Sequence, residues 1–213
     1  MDLLIFDLDG TLIDSQLDLA NSVNAARAQM GFPPLAIELI QSYVGNGAPV
    51  LIRRAMGPDA SEALVAETLE RFLVHYRAHM LDHTHLYPGV RETLDQLRDA
   101  GKAMAILTNK PIINTVGIIE GLGLSGHFFR LYGGNSFDQK KPDPIGITTL
   151  MAERNTTPDR TVMIGDSGVD IRTARNAGVT ACGVTYGFHP DSLKSDPPDW
   201  LLDDMRQLLG YLP

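Results

Sequence analysis

The sequence predicts an α/β protein: a doubly wound parallel sheet with a small α-helical subdomain inserted near its start. Three observations predict it. Short apolar runs alternate with helically spaced segments, as in chains of βαβ units. One long stretch near the N-terminus carries helical patterning alone. A length of 213 residues accommodates one good-sized core and an insert, but not several independent domains.

Taken in order, residues 3–8, 103–107, 131–133, 162–164 and 181–184 are short apolar runs that read as buried strands of one parallel sheet. Between them, 90–97, 112–122, 145–154 and 171–177 have the spacing of crossover helices. A last helix is expected over 200–209. From residue 15 to about 81, helix-like segments follow one another, broken at Gly31-Phe32-Pro33-Pro34, Gly45-Asn46-Gly47 and Gly57-Pro58. We therefore divide the chain into a core, 1–14 with 83–213, and a helical cap, 15–82. A cap inserted directly after the first strand is expected over that strand's carboxyl end, where open α/β sheets bind ligands.

Composition narrows the function. The 26 acidic residues against 18 basic ones leave a net charge of -8, which disfavours nucleic acid and anionic membrane surfaces as partners. A small anionic substrate stays compatible if a metal ion and a few cations reverse the field inside one pocket. The start of the chain lacks the features of a signal peptide, no segment is apolar enough to span a bilayer, and Cys182 stands alone, so a cytoplasmic protein is expected. Cys182 reads as a packed thiol, and Asn155-Thr156-Thr157 as a chance glycosylation triplet.

Four strand ends carry chemistry. Asp7 and Asp9, in Phe6-Asp7-Leu8-Asp9-Gly10-Thr11-Leu12, close the first strand as two carboxylates that would repel one another without a cation or a shared proton. Alone, this is also a common Asp-Gly turn. Thr108-Asn109-Lys110-Pro111 ends the second strand with a hydroxyl and an amide, either for a phosphate or for capping the next helix. Lys141 precedes the rigid Pro142-Asp143-Pro144, where it can neutralise a phosphate or simply be solvated. Gly165-Asp166-Ser167 ends another strand in an acid, and Asp170 fits either a metal site or a capping box with Ser167.

Independent capping accidents would rarely yield acid pair, hydroxyl, lysine and acid in that order. The set resembles the haloacid dehalogenase superfamily, on Asp7/Asp9/Thr11, Thr108, Lys141 and Gly165-Asp166/Asp170. Within it the chain looks most like the phosphoglycolate phosphatase group with a helical cap, on residues 7–15, on Val44-Gly45-Asn46-Gly47-Ala48, on Tyr87-Pro88-Gly89-Val90 and on 198–203. The resemblance implies a magnesium-dependent phosphomonoesterase acting on a small phosphorylated metabolite through an aspartyl-phosphate, as a monomer or homodimer. Asp7 would be the nucleophile and Asp9 the acid and base, with Thr108 and Lys141 stabilising the phosphoryl oxygens. Mg2+ would be held by Asp7, the main-chain carbonyl of Asp9 and Asp166, with Asp170 orienting that shell. Gly10, Thr11, Asn109, Asn46 and Arg53 are the candidates for substrate binding, Arg53 or its neighbour Arg54 by gripping a carboxylate. His75, His79, His83 and His85 read as exposed helix and hinge residues. Two rivals share these motifs: a sugar-phosphate mutase, and a binding protein without turnover.

Overall fold

The computed structural model describes residues 1–212. In chain order its elements are β1 (Leu3–Phe6), β2 (Ile13–Asp14), α1 (Gln16–Gln29), α2 (Ile37–Gln41), α3 (Ala48–Met56), α4 (Glu62–His79), β3 (His85–Leu86), α5 (Val90–Asp99), β4 (Ala103–Leu107), α6 (Ile112–Gly121), β5 (Arg130–Tyr132), α7 (Ile145–Arg154), β6 (Thr161–Gly165), α8 (Gly168–Ala177), β7 (Thr180–Val184), α9 (Ser192–Ser195) and β8 (Trp200–Leu202). Two compact units result: Met1–Asp14 with Leu86 onward, and Ser15–His85.

The first unit is a six-stranded parallel sheet in the order β5-β4-β1-β6-β7-β8. Numbered along the chain, its strands run 3-2-1-4-5-6, the doubly wound order whose direction of winding reverses between β1 and β6. β1 is apolar throughout because it is central: Leu3, Leu4, Ile5 and Phe6 are fully buried. The register sets Phe6 opposite Ile106 on one side and Ile164 on the other, so the residues just beyond these three strands emerge together. Leu3, Ile5, Ala105, Ile147, Leu150, Met163, Ile171 and Ala181 share one core cluster, with α7 and α8 contributing their apolar faces. Cys182 lies in β7, its thiol buried and pushed up to about 12 by that burial.

One expected element is different. Residues 200–209 do not form an α-helix: Trp200–Leu202 is strand β8, and Met205–Tyr211 is a 3-10 helix. The preceding Pro197-Pro198 favours extended backbone. Asp199 then locks the chain beside β7, donating its N–H to Ala181 O at 2.9 Å and accepting the Ala181 N–H on Oδ2 at 2.8 Å. The apolar residues that suggested a helix are shared out, Leu202 under the sheet and Met205 and Leu208 under the 3-10 turn.

The second unit is helical, α1 to α4, and each Gly or Pro break expected from the sequence falls between two helices. Its interior contains Val23, Ala26, Ile40, Ile52, Val65, Phe72 and Tyr76, the last two stacked at 5.5 Å. Buried Arg27 joins the loop after α1 to the end of α3, donating to Pro33 O at 3.0 Å and to Ala55 O. Ser61 caps α4 by accepting the Leu64 N–H at 3.2 Å. The unit extends to residue 85 because Asp18 of α1 accepts the N–H groups of His83 (3.0 Å) and Thr84 (2.8 Å) and the Thr84 hydroxyl (2.8 Å). No helix among the described residues is long and apolar enough to cross a membrane.

Candidate active site

The acids gather at the carboxyl ends of β1 and β6, where the winding reverses. Asp7 follows β1 directly, and its N–H continues the ladder to Ile164 O at 2.9 Å. Asp166 follows β6, and Asp170 lies one turn into α8. One carboxylate oxygen from each of Asp7, Asp166 and Asp170 lies within 4.8 Å of the others, an arrangement that could hold a metal ion.

Lys141 enters the same cluster from the loop before α7. Its Nζ stands 2.9 Å from Asp7 Oδ1 and 2.6 Å from Asp170 Oδ1, and its side chain is only 2% exposed. Burial disfavours the ammonium, but Asp170 and Asp7 outweigh it and hold the Lys141 pKa above the ordinary lysine value. Burial and the charge of Asp170 push the Asp7 carboxyl up to about 6 against the pull of Lys141. Asp166 is raised well above the carboxylate range by burial and then by Asp170 and Asp7. Three acids and one lysine leave the cluster short of positive charge, so a divalent cation of the hard-oxygen type fits it.

Asp170 does two jobs at once. Its Oδ1 accepts from Lys141, and its Oδ2 accepts the Ser167 hydroxyl at 2.7 Å and the Ser167 N–H at 3.2 Å, so the capping contact and the site contact coexist. Both of its oxygens thus carry hydrogen bonds within the protein.

Asp9 is placed apart from the metal group. Its carboxylate receives Lys110 Nζ on both oxygens, at 2.9 and 3.0 Å, with the lysine side chain 4% exposed. Sequence reasoning missed Lys110, which looked like one more polar residue of the 108–111 turn; its only signal was its place at a strand end beside Thr108. Thr108 is buried, and its hydroxyl oxygen accepts the Lys110 N–H at 3.3 Å.

Three residues of this unit expected to contact substrate have structural surroundings of their own. The Gly10 N–H is already donated to Ile13 O at 2.9 Å, and the glycine is needed for its φ of +80° and for space, since a Cβ would fall 2.3 Å from Asp166 Oδ2. Thr11 is fully buried, and its hydroxyl has no hydrogen-bond partner among the described residues; main-chain bonds to Leu8 O hold the turn instead. The Asn109 carboxamide brackets the main chain of Lys141, accepting its N–H at 3.1 Å and donating to its carbonyl at 3.2 Å. Asn109 therefore places the lysine.

In the helical unit, Asn46 sits in the turn before α3, and Arg53 on α3 donates to Ala60 O at 2.6 Å and pairs with Glu62. Arg54 donates to Tyr43 O at 3.0 Å. The histidines are occupied locally: His75 with Ser22 at 3.0 Å, His79 with Asp82 at 2.8 Å, His83 with Asp18 at 2.8 Å and His85 with His83 O at 2.8 Å.

A parallel doubly wound sheet with an acid after its first strand, another after its fourth and a buried lysine between Asp7 and Asp170 is an arrangement suited to a class of hydrolase. The family model for haloacid dehalogenase-like hydrolases matches residues 4–184, and the chain belongs to that family. Within it the chain is a hydrolase of phosphoric monoesters. It is 40% identical over 217 aligned positions to a phosphoglycolate phosphatase of Vibrio vulnificus (strain CMCP6), covering 99% of this chain and 95% of the relative. It is 41% identical to a phosphoglycolate phosphatase of Pseudomonas putida (strain KT2440), covering 97% and 78%. A crystal structure described as a "predicted phosphoglycolate phosphatase" from Haemophilus somnus 129PT superposes with a TM-score of 0.94 at 32% identity, covering 99% and 97% of the two chains.

Proposed function

We propose that the chain hydrolyses a small phosphorylated metabolite, phosphoglycolate or a close analogue, with Mg2+ as cofactor and an aspartyl-phosphate on Asp7 as intermediate. The observation that carries this reading is the buried row Asp7–Lys141–Asp170 beside Asp166, which combines a nucleophile, a cation for phosphoryl oxygens and acids for a divalent ion. The names of relatives at 40% and 41% identity support the choice of substrate.

Asp7 and Asp166, with the Asp9 carbonyl, would hold Mg2+, and Asp170 would act behind them through Lys141 and Ser167. When bound, the ion supplies charge neutralisation for the transferring phosphoryl group. A carboxylate oxygen of Asp7 attacks phosphorus in line, and the ester oxygen departs with a proton from Asp9. Water then cleaves the aspartyl-phosphate, its proton passing to Asp9. Lys110, donating to both Asp9 oxygens, orients that carboxylate for either transfer and leaves lone pairs on it for the proton. Lys141 and the Thr108 hydroxyl meet the equatorial oxygens.

The test is phosphate release from a panel of phosphomonoesters with and without Mg2+, joined to acid quenching with labelled substrate. Release that requires Mg2+, with label recovered on Asp7, is the expected result. Intact esters throughout the panel, or label transferred to a second hydroxyl of the substrate, would overturn it.

A further inference from the structure

The loop after β7 meets the acid cluster, although no motif pointed to it. Asp166 Oδ2 accepts the main-chain N–H groups of Phe188 at 2.7 Å and His189 at 3.3 Å. Gly187 has no room for a side chain: a Cβ there would fall 2.2 Å from Asp166 Cβ and 2.3 Å from the Gly10 carbonyl oxygen. Gly10 also meets Asp166, its own Cβ position lying 2.3 Å from Oδ2. Two glycines thus approach the Asp166 side chain where no Cβ would fit. The loop is pinned in turn, because the Tyr186 hydroxyl donates to Thr11 O at 3.0 Å and the Tyr186 ring packs on Tyr87 with centroids 4.8 Å apart.

We propose that residues 186–189 are a positioning element of the cation site, holding Asp166 by one carboxylate oxygen so that the other is presented in a fixed direction. This rests on the reading of Asp7 and Asp166 as cation ligands. The physical reason is rotational. An unrestrained carboxylate turns freely about its last bond, whereas two N–H donors on one oxygen confine its plane, because every orientation but the equivalent half-turn loses both bonds. Removing such supporting partners of a ligand weakens metal binding by about 10- to 100-fold. Gly187 is required here for space alone, since an alanine would push the Phe188 and His189 N–H groups off Oδ2.

The experiment uses the full chain and Mn2+ as probe, counting bound ion by electron paramagnetic resonance, with Mg2+ measured by competition. Gly187→Ala is expected to weaken Mn2+ binding by about 10-fold or more. Tyr186→Phe, which keeps the ring and loses the pin on Thr11 O, is expected to weaken it a few-fold, with a metal-free Tm close to wild type. A purely structural loop would lower the metal-free Tm and leave Mn2+ affinity within two-fold of wild type, which would overturn the proposal. If Gly187→Ala does not fold, Tyr186→Phe decides by the same two criteria. Wild-type protein that binds no Mn2+ would instead remove the cation site itself.

Discussion

Asp18 of the helical unit and Asp166 of the sheet unit are both buried carboxylates, and they are held in opposite ways. Asp18 accepts the N–H groups of His83 and Thr84 and the Thr84 hydroxyl, and pairs with the His83 ring. Burial pushes its carboxyl up, but those donors outweigh burial and hold it below the usual carboxylate range. Asp166 is also buried and also accepts two N–H groups, yet Asp170 and Asp7 add like charge and its carboxyl stays raised. A carboxylate whose lone pairs are filled by hydrogen-bond donors is a structural fastening. One crowded by other carboxylates is unfavourable as it stands, and that imbalance is what a cation can relieve.

The sharpest test of this contrast removes a charge from each unit. Asp7→Asn should lower hydrolysis by about 10^4-fold or more, since the nucleophile is lost, while the metal-free protein is no less stable than wild type because one like charge has gone. Phosphate release and thermal unfolding measure the two effects, and full activity in Asp7→Asn would erase the distinction. Asp18→Ala should do the reverse, costing about 2–4 kcal/mol and lowering Tm by roughly 5–15 °C with the chemical step intact.

The same contrast predicts a pH signature. The Asp18 carboxyl is lower in the folded state than its ordinary value of 3.8, so its stabilisation is fully present above that pH and disappears as pH falls below it. Unfolding curves should converge for wild type and Asp18→Asn on acidification below about pH 4; curves that stay parallel would count against the fastening role. A smaller effect concerns the Lys110–Asp9 pair of the sheet unit. Lys110→Gln should lower kcat by about 10- to 100-fold by releasing Asp9, and a kcat within two-fold of wild type would reduce the pair to a passive contact. His83→Ala should have the smallest effect, roughly 0.2–1 kcal/mol in urea unfolding, because the imidazole is 53% exposed and Asp18 keeps its main-chain donors.

Local pattern made much of the architecture legible. β4 and α7 have the expected bounds, because an apolar run or a helical period is written in adjacent residues. β8 was not legible: Trp200, Leu201 and Leu202 suit helix or strand, and the open edge of β7 decides between them. The site divides similarly. Asp7 and Asp166 stand out as acids at strand ends, and Lys141 and Asp170 as charges beside a proline turn and a helix start, whereas the roles of Lys110, Asn109 and Gly187 depend on what faces them.

By itself, then, the sequence determined which residue types follow the strands and where five of the six strands of the sheet fall. Only the tertiary structure decided which charges became partners: Lys110 with Asp9, Lys141 between Asp7 and Asp170, and Asp166 under the loop after β7. The reason is reach. Strand and helix periodicities act over a few residues, while each of these pairings joins segments 22 to 134 positions apart, through a strand order that no local pattern encodes.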